Sequence, residues 1–165
     1  MSQTIQLFVT CIVDTIYPQV GEAVVAVLEK AGAKIAVPAG QTCCGQPAFN
    51  AGMRSEAARI AKHTIRVFEA SPGAVVIPSG SCAAMVRHSY LELFANDPEW
   101  LPRAKVLAER TYELTEYLVD VLGVTDLGAS YPGKLTYHSS CHLLRELGVD
   151  RQPRALLANV HGAEL

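Results

Sequence analysis

Short apolar runs rich in β-branched residues alternate along this chain with longer stretches whose apolar residues recur at helical spacing. That alternation constrains the fold more than any other feature, because a strand–helix–strand rhythm folds as a parallel sheet with right-handed crossovers. Residues 5–10 (Ile-Gln-Leu-Phe-Val-Thr) read as a first strand. Residues 19–31 carry Val20, Ala23, Val24, Val27 and Leu28 at helical spacing, with Gly32 as the stop. Residues 34–37 read as a second strand closed by Pro38. A Gly- and Pro-rich loop over 39–52 leads into a helix over 53–70, and residues 74–77 form a third strand closed by Pro78. A turn at Ser79-Gly80-Ser81-Cys82 opens another helix. Residues 100–122 read as one long helix, 128–133 as a turn-rich connector, 135–138 as a fourth strand, and 153–160 as the start of a last helix. The expected class is α/β, a parallel sheet with flanking helices.

The 165 residues suit about one domain, and with half of them hydrophobic the chain can bury a core. The net charge of −2, one Trp and no basic run argue against a nucleic-acid partner. No apolar run approaches the ~18–20 residues of a membrane span. Met1-Ser2-Gln3-Thr4-Ile5 lacks a basic segment ahead of its apolar stretch and reads as the start of a strand rather than a leader. A cytoplasmic location is expected. In a reducing compartment five cysteines, two of them adjacent, point to metal or redox chemistry rather than to a disulfide framework.

Every cysteine falls in the same kind of place. Cys11, the pair Cys43-Cys44, Cys82 and Cys141 each follow the C-terminal end of an expected strand. In open parallel sheets those ends share one edge, and ligands bind in the crevice beside it. Cysteines far apart in sequence are thereby expected to converge in space.

The chain also repeats itself. Strand–Cys11–loop–Pro18–helix–Gly32-Ala33-Lys34-Ile35 parallels strand–Cys141–loop–Pro153–helix–Gly162-Ala163-Glu164-Leu165. The expected division is a first copy over 1–128 and the beginning of a second, truncated copy over 129–165, which supplies no second Cys-Cys-Gly.

Iron–sulfur clusters are held mostly by Cys thiolates, usually four, and the first copy carries four. Gly45 allows a sharp turn beside bulky sulfurs. Cys82 stands where a helix begins, where free backbone N–H groups favour a thiolate. Thr42, Ser79 and Ser81 are candidate hydrogen-bond donors around the sulfurs. Zinc is the rival metal, although its usual close ligand pairs are absent. A thiol–disulfide pair, disfavoured by the absence of any Cys-x-x-Cys, and a thiol nucleophile at Cys82 or Cys141, with His138 and His142 flanking the latter, are further alternatives. His63 reads as solvated, Asp14 as a turn residue, and Arg145-Glu146 as a solvated turn.

Thr10-Cys11, residues 41–50 around Cys43-Cys44-Gly45, residues 79–85 around Cys82, and residues 140–148 around Cys141 together resemble the cysteine-rich CCG domain family. That domain occurs twice in the heterodisulfide reductase B subunit and in glycolate oxidase iron–sulfur subunits. The short lactate-utilization members of the family resemble the chain throughout its length. The resemblance implies an iron–sulfur electron-transfer component of a 2-hydroxy acid oxidation system, L-lactate to pyruvate, working with partner subunits. It implies Cys11, Cys43, Cys44 and Cys82 as ligands of a first centre, of the four-iron type, and Cys141 as the opening of a second motif. A zinc-binding assembly module and a glycolate oxidase-type subunit are the alternatives. The family's fuller pattern ends Cys-x-x-Cys, whereas Met85 stands at its last position here.

Overall fold

The computed structural model describes residues 4–165; the expectation for Met1 to Gln3 lies outside the described residues. Four strands, β1 (Thr4–Leu7), β2 (Lys34–Ala36), β3 (Val75–Ile77) and β4 (Thr111–Glu113), form one parallel sheet in the order β2-β1-β3-β4. Ile5 lies opposite Ile35, Leu7 opposite Val76, and Val76 opposite Tyr112. The chain leaves β1 through α1 (Cys11–Thr15) and α2 (Pro18–Lys30) and pairs β2 on one side. It then passes through α3 (Gln46–Asn50) and α4 (Arg54–Glu69) and pairs β3 on the other side of β1. The direction of winding reverses between β1 and β3, so the helices cover opposite faces and a crevice opens at those strand ends.

The period-two alternation of a strand sorts the core. Ile5, Leu7 and Val76 pack with Val24 and Leu28 of α2 and with Tyr117 and Leu118. Val75 and Ile77 point the other way, toward Ala61, Ile65 and Phe68 of α4, and toward Tyr90, Phe94 and Trp100. Each fully buried Ile or Leu contributes about 1.5–3 kcal/mol relative to exposure. Gln6, between Ile5 and Leu7, is buried, and its Nε2 donates to the carbonyls of Ser71 (2.6 Å) and Pro72 (3.1 Å) ahead of β3.

The third crossover carries α5 (residues 80–93, with a π-helical turn at Met85–Ser89) and α6 (Trp100–Glu109). The single helix expected over 100–122 is two helices with β4 between them. Arg110 ends α6, donating to the carbonyls of Phe68 (2.6 Å) and Gly73 (2.5 Å), and Thr111 and Glu113 then turn inward as β4. Helical spacing on both flanks hid a strand of three residues. A carboxylate caps the next helix, α7 (residues 114–121): Glu113 accepts from Thr115 N (2.7 Å) and Glu116 N (3.3 Å).

Beyond it β5 (Ser130–Lys134) and β6 (His161–Glu164) form a separate two-stranded parallel sheet, joined by α8 (His142–Glu146, a π-helical turn) and α9 (Arg151–Ala158). The strand expected over 135–138 lies instead over the stretch read as a connector. Pro132 and Gly133 look like turn residues, but β5 is bulged between Ser130 and Gly133, and a bulged edge tolerates a residue without an N–H. Gly162, with φ +76°, lets β6 approach Pro132 closely; a Cβ there would stand 3.3 Å from Pro132 Cα. α9 is tied to α7 by Arg151 and Gln152, which donate to Asp120 at 2.7 and 2.6 Å.

Candidate metal centre

Three loops leave the C-terminal edge of the four-stranded sheet, and each delivers thiols. After β1, Thr10 is extended and Cys11 is the first residue of α1. After β2, the loop through Cys43 and Cys44 is held against β1 by the Gln41 side chain. Its Oε1 accepts from Val9 N (2.9 Å) and its Nε2 donates to Leu7 O (2.9 Å), so one amide continues the strand pairing after β2 has ended. The His63 ring, exposed on α4, bonds the Gly40 carbonyl at 2.7 Å and holds the same loop from outside. Gly45 then turns with φ +91°, a left-handed conformation that favours glycine. That conformation starts α3 and points Cys43 and Cys44 back toward the sheet edge. After β3, Ser79 caps α5 by accepting from Cys82 N, which sets Cys82 in its first turn.

The four thiols of Cys11, Cys43, Cys44 and Cys82 line one cavity of about 210 Å³, walled otherwise by groups that include Pro47, Pro78, Ser79 and Ser81, with no charged side chain in its lining. A neighbouring cavity of about 270 Å³, bounded by Val37 and Gln41, shares Cys11 and Cys43. Cys44 and Cys82 are buried, while Cys11 and Cys43 are half-buried.

The sulfurs are unequal. Cys44 Sγ lies 3.4 Å from Cys82 Sγ and acts as donor to it. That hydrogen bond, opposed by burial and supported by Ser79 and Ser81, brings the Cys82 thiol down to about 6. Cys44 moves the other way, raised by the bond it donates and by burial. Cys11 is raised by burial and by its bond to Cys43. Cys43 Sγ accepts from Gly45 N at 3.4 Å. Behind them Tyr90 is fully buried and its hydroxyl donates to the Cys44 carbonyl at 2.8 Å, which fixes the backbone of the adjacent pair. Ser79 and Ser81 stand beside Cys82, Ser79 Oγ accepting from Cys82 N at 3.4 Å and lying 3.2 Å from Ser81 Oγ, while the Thr42 hydroxyl turns to the Cys43 carbonyl at 3.5 Å.

Cys141 stands apart. It is exposed, immediately before α8, and is absent from the lining of that cavity. The loop ahead of it is tied to α9, with Ser139 donating to Asp150 (2.5 Å) and Arg154 to the same carboxylate (3.0 Å). Its neighbours do reach the first region. Leu143 packs on Gly80, where a Cβ would come within 2.8 Å of it, and His142 Nε2 lies 3.3 Å from Gln46 Nε2. The other ring nitrogen of His142 bonds Glu146 at 2.5 Å, and residues 142–146 form a helical turn in which Arg145 and Glu146 are exposed, as expected. Asp14 lies within α1 rather than in a turn. Met85 is buried in the core at the start of the π-helical turn of α5.

Among the described residues, no group of three Cys, His, Asp or Glu side chains converges as a ready single-ion site. The donor set nevertheless suits a thiolate-bound metal group: four soft sulfurs, an uncharged wall, and a volume several times the ~30 Å³ share of one water. Gln41, Gln46 and Tyr90 are the supporting residues that sequence reasoning missed. Both glutamines lie in the block that resembles the CCG family, and nothing in their spacing signalled a role.

The family model described as "Cysteine-rich domain", CCG, matches residues 5–87, which takes in the four cavity thiols. Curated relatives extend the likeness across nearly the whole chain. "Lactate utilization protein A" of Exiguobacterium sp. is 51% identical over 159 residues, covering 96% of this chain and 64% of that protein. The proteins of the same name from Geobacillus kaustophilus and Shouchella clausii are each 53% identical over 161 residues, covering 98% of this chain and 66% of theirs. The chain thus spans just under two thirds of the length of these relatives. Among the described residues no helix is long and apolar enough to cross a membrane.

Proposed function

The chain belongs to the CCG cysteine-rich domain family, and from that premise we propose that it serves lactate utilization as an iron–sulfur electron relay whose centre is held by Cys11, Cys43, Cys44 and Cys82. The observation that carries the reading is the delivery of four thiols from three separate loops to one uncharged cavity at the point where the sheet reverses its winding. A cluster bound there would supply one-electron chemistry, taking electrons from 2-hydroxy acid oxidation and passing them on.

The chain's own residues do the positioning. Gln41 fixes the Cys43-Cys44 loop against β1, Gly45 turns it, and Tyr90 anchors it from below. The N-terminus of α5 presents Cys82 as a thiol disposed to ionise, with the hydroxyls of Ser79 and Ser81 beside it. The uncharged wall keeps the site at low dielectric, where hydrogen bonds to sulfur weigh heavily on a reduction potential. Oxidation of the substrate itself belongs, on this reading, to partner subunits in the cytoplasm, with lactate favoured over glycolate by the relatives' names.

Anaerobic loading with ferrous iron and sulfide tests the proposal. The expected result is stoichiometric iron and sulfide with visible sulfur-to-iron absorption that bleaches on reduction. Zinc retained in stoichiometric amount, with iron refused, would replace the electron relay by a zinc-stabilised assembly module.

A further inference from the structure

The donor pair at the cavity has a second chemistry open to it. Cys44 and Cys82 are 37 residues apart by the residues between them in sequence, yet their sulfurs stand 3.4 Å apart. The backbone of both residues is held, that of Cys44 by the Tyr90 hydroxyl on its carbonyl and that of Cys82 by its place in the first turn of α5. Both line a cavity large enough to admit a small oxidant.

We infer that, whenever the site carries no metal group, Cys44 and Cys82 act as a reversible dithiol–disulfide pair. The inference rests on their juxtaposition, and it deepens the reading of these thiols as ligands by giving the metal-free site a protected state. The oxidant is a hydroperoxide. The Cys82 thiolate attacks the terminal peroxide oxygen, the O–O bond breaks, and Cys82 becomes a sulfenic acid while the other oxygen departs as hydroxide (alkoxide from an organic hydroperoxide) and takes up a proton as water or alcohol. The Cys44 sulfur then attacks the Cys82 sulfur, the S–O bond breaks, and the second oxygen leaves as water carrying the Cys44 proton. Two thiols are oxidised by two electrons to one disulfide, and one hydroperoxide is reduced; for hydrogen peroxide the products are two waters. A thiol reductant reverses the bond by exchange.

Two of the four donors are withdrawn in the disulfide form, and Cys82 is kept off the irreversible steps of sulfur oxidation. Cys11 and Cys43 are half-buried and line both cavities, so they remain open to alkylation.

The test uses the reduced, metal-free chain treated anaerobically with one equivalent of hydrogen peroxide, then alkylated, digested without reductant and mapped by mass spectrometry. A linked pair of peptides containing Cys44 and Cys82 is expected, with alkylation of both falling at least about tenfold while Cys11 and Cys141 stay alkylated. The link should persist in Cys43→Ser, which assigns it to Cys44 within the adjacent pair, disappear in Cys82→Ala, and revert with dithiothreitol. A link through Cys11 or Cys43, or sulfinic acid at Cys82 beside an alkylated Cys44, would overturn the inference. Because the readout involves no metal, it is independent of the iron measurement: a chain that refuses iron and still forms the link loses the electron-relay reading and keeps this one.

Discussion

The four-stranded and the two-stranded sheets of this molecule are both parallel and both followed by cysteine-bearing loops, yet only one of them builds a cavity of thiols. In the larger sheet β3 is buried along its whole length between helices on both faces. Three loops are consequently forced out at one edge, and their sulfurs meet. In the smaller sheet β5 is exposed at four of its five positions, and Cys141 lies at the surface. The difference shows that a cysteine after a strand is not enough. Convergence needs neighbouring strands whose order reverses, with both faces covered, so that successive loops return to one crevice.

The largest effect separates the two regions at the metal. Cys82→Ala should remove essentially all iron loaded by the chain, because it deletes the thiol at the head of α5. Cys141→Ala should leave the iron of this cavity unchanged within error. Equal losses in the two variants, measured as iron and sulfide per chain, would break the comparison by making Cys141 a ligand of the same centre.

Stability should divide along the same line. Ile77 is fully buried at the end of β3, so Ile77→Ala should cost about 2–5 kcal/mol through lost burial and a cavity. Tyr131 on β5 is 52% exposed, and Tyr131→Ala should cost no more than about 0.5 kcal/mol. Urea unfolding of the metal-free chain decides the matter. A cost above about 2 kcal/mol at Tyr131 would mean that the small sheet is as integral to the folded unit as the large one.

The contrast also explains what the sequence made legible. Strands β2 and β3 are short apolar runs stopped by Pro38 and Pro78, and α2 and α4 carry clean apolar stripes, so the class, the first three strands and the convergence of four of the five thiols followed from pattern. β1 ends at Leu7, three residues short of expectation, because the pairing beyond it passes to the Gln41 side chain rather than to another strand. β4 was hidden because Thr111-Tyr112-Glu113 sits between two helices whose apolar periods join smoothly. β5 was misplaced because Pro132-Gly133 spells a turn locally, and only pairing with β6 makes it a strand. At the site, cysteine identity was visible and sulfur inequality was not. The thiols of Cys44 and Cys82 differ because of a contact across 37 intervening residues, which no local pattern encodes.

The seam between the regions yields a smaller effect. Gly80 opens α5 two residues before Cys82, and a Cβ there would meet Leu143 of α8 at 2.8 Å. Gly80→Ala should therefore push α8 away and cost about 1–3 kcal/mol as an overpacked contact. Pairing it with Leu143→Ala should recover most of that cost in a double-mutant cycle. Additive costs would show that the two regions touch there without sharing energy.

The smallest effect is a displaced midpoint. The bond from Cys44 holds the Cys82 thiol near 6, well below its ordinary value of 9.0. A folded value below the unfolded one contributes stability that is fully present above the unfolded thiol value and is lost as pH falls through about 6. In the metal-free chain, alkylation of Cys82 by a small reagent should accordingly rise with pH to a midpoint near 6. Cys44→Ala removes the donor while leaving Ser79 and Ser81 in place, so the midpoint should climb toward the ordinary thiol range without reaching it. An unmoved midpoint would assign the thiolate to the α5 terminus and the two serines. The inequality of the sulfurs would then be a local property of residues 79–82, available to any cysteine at a helix start, and the convergence of loops would explain where the thiols meet but not how they differ.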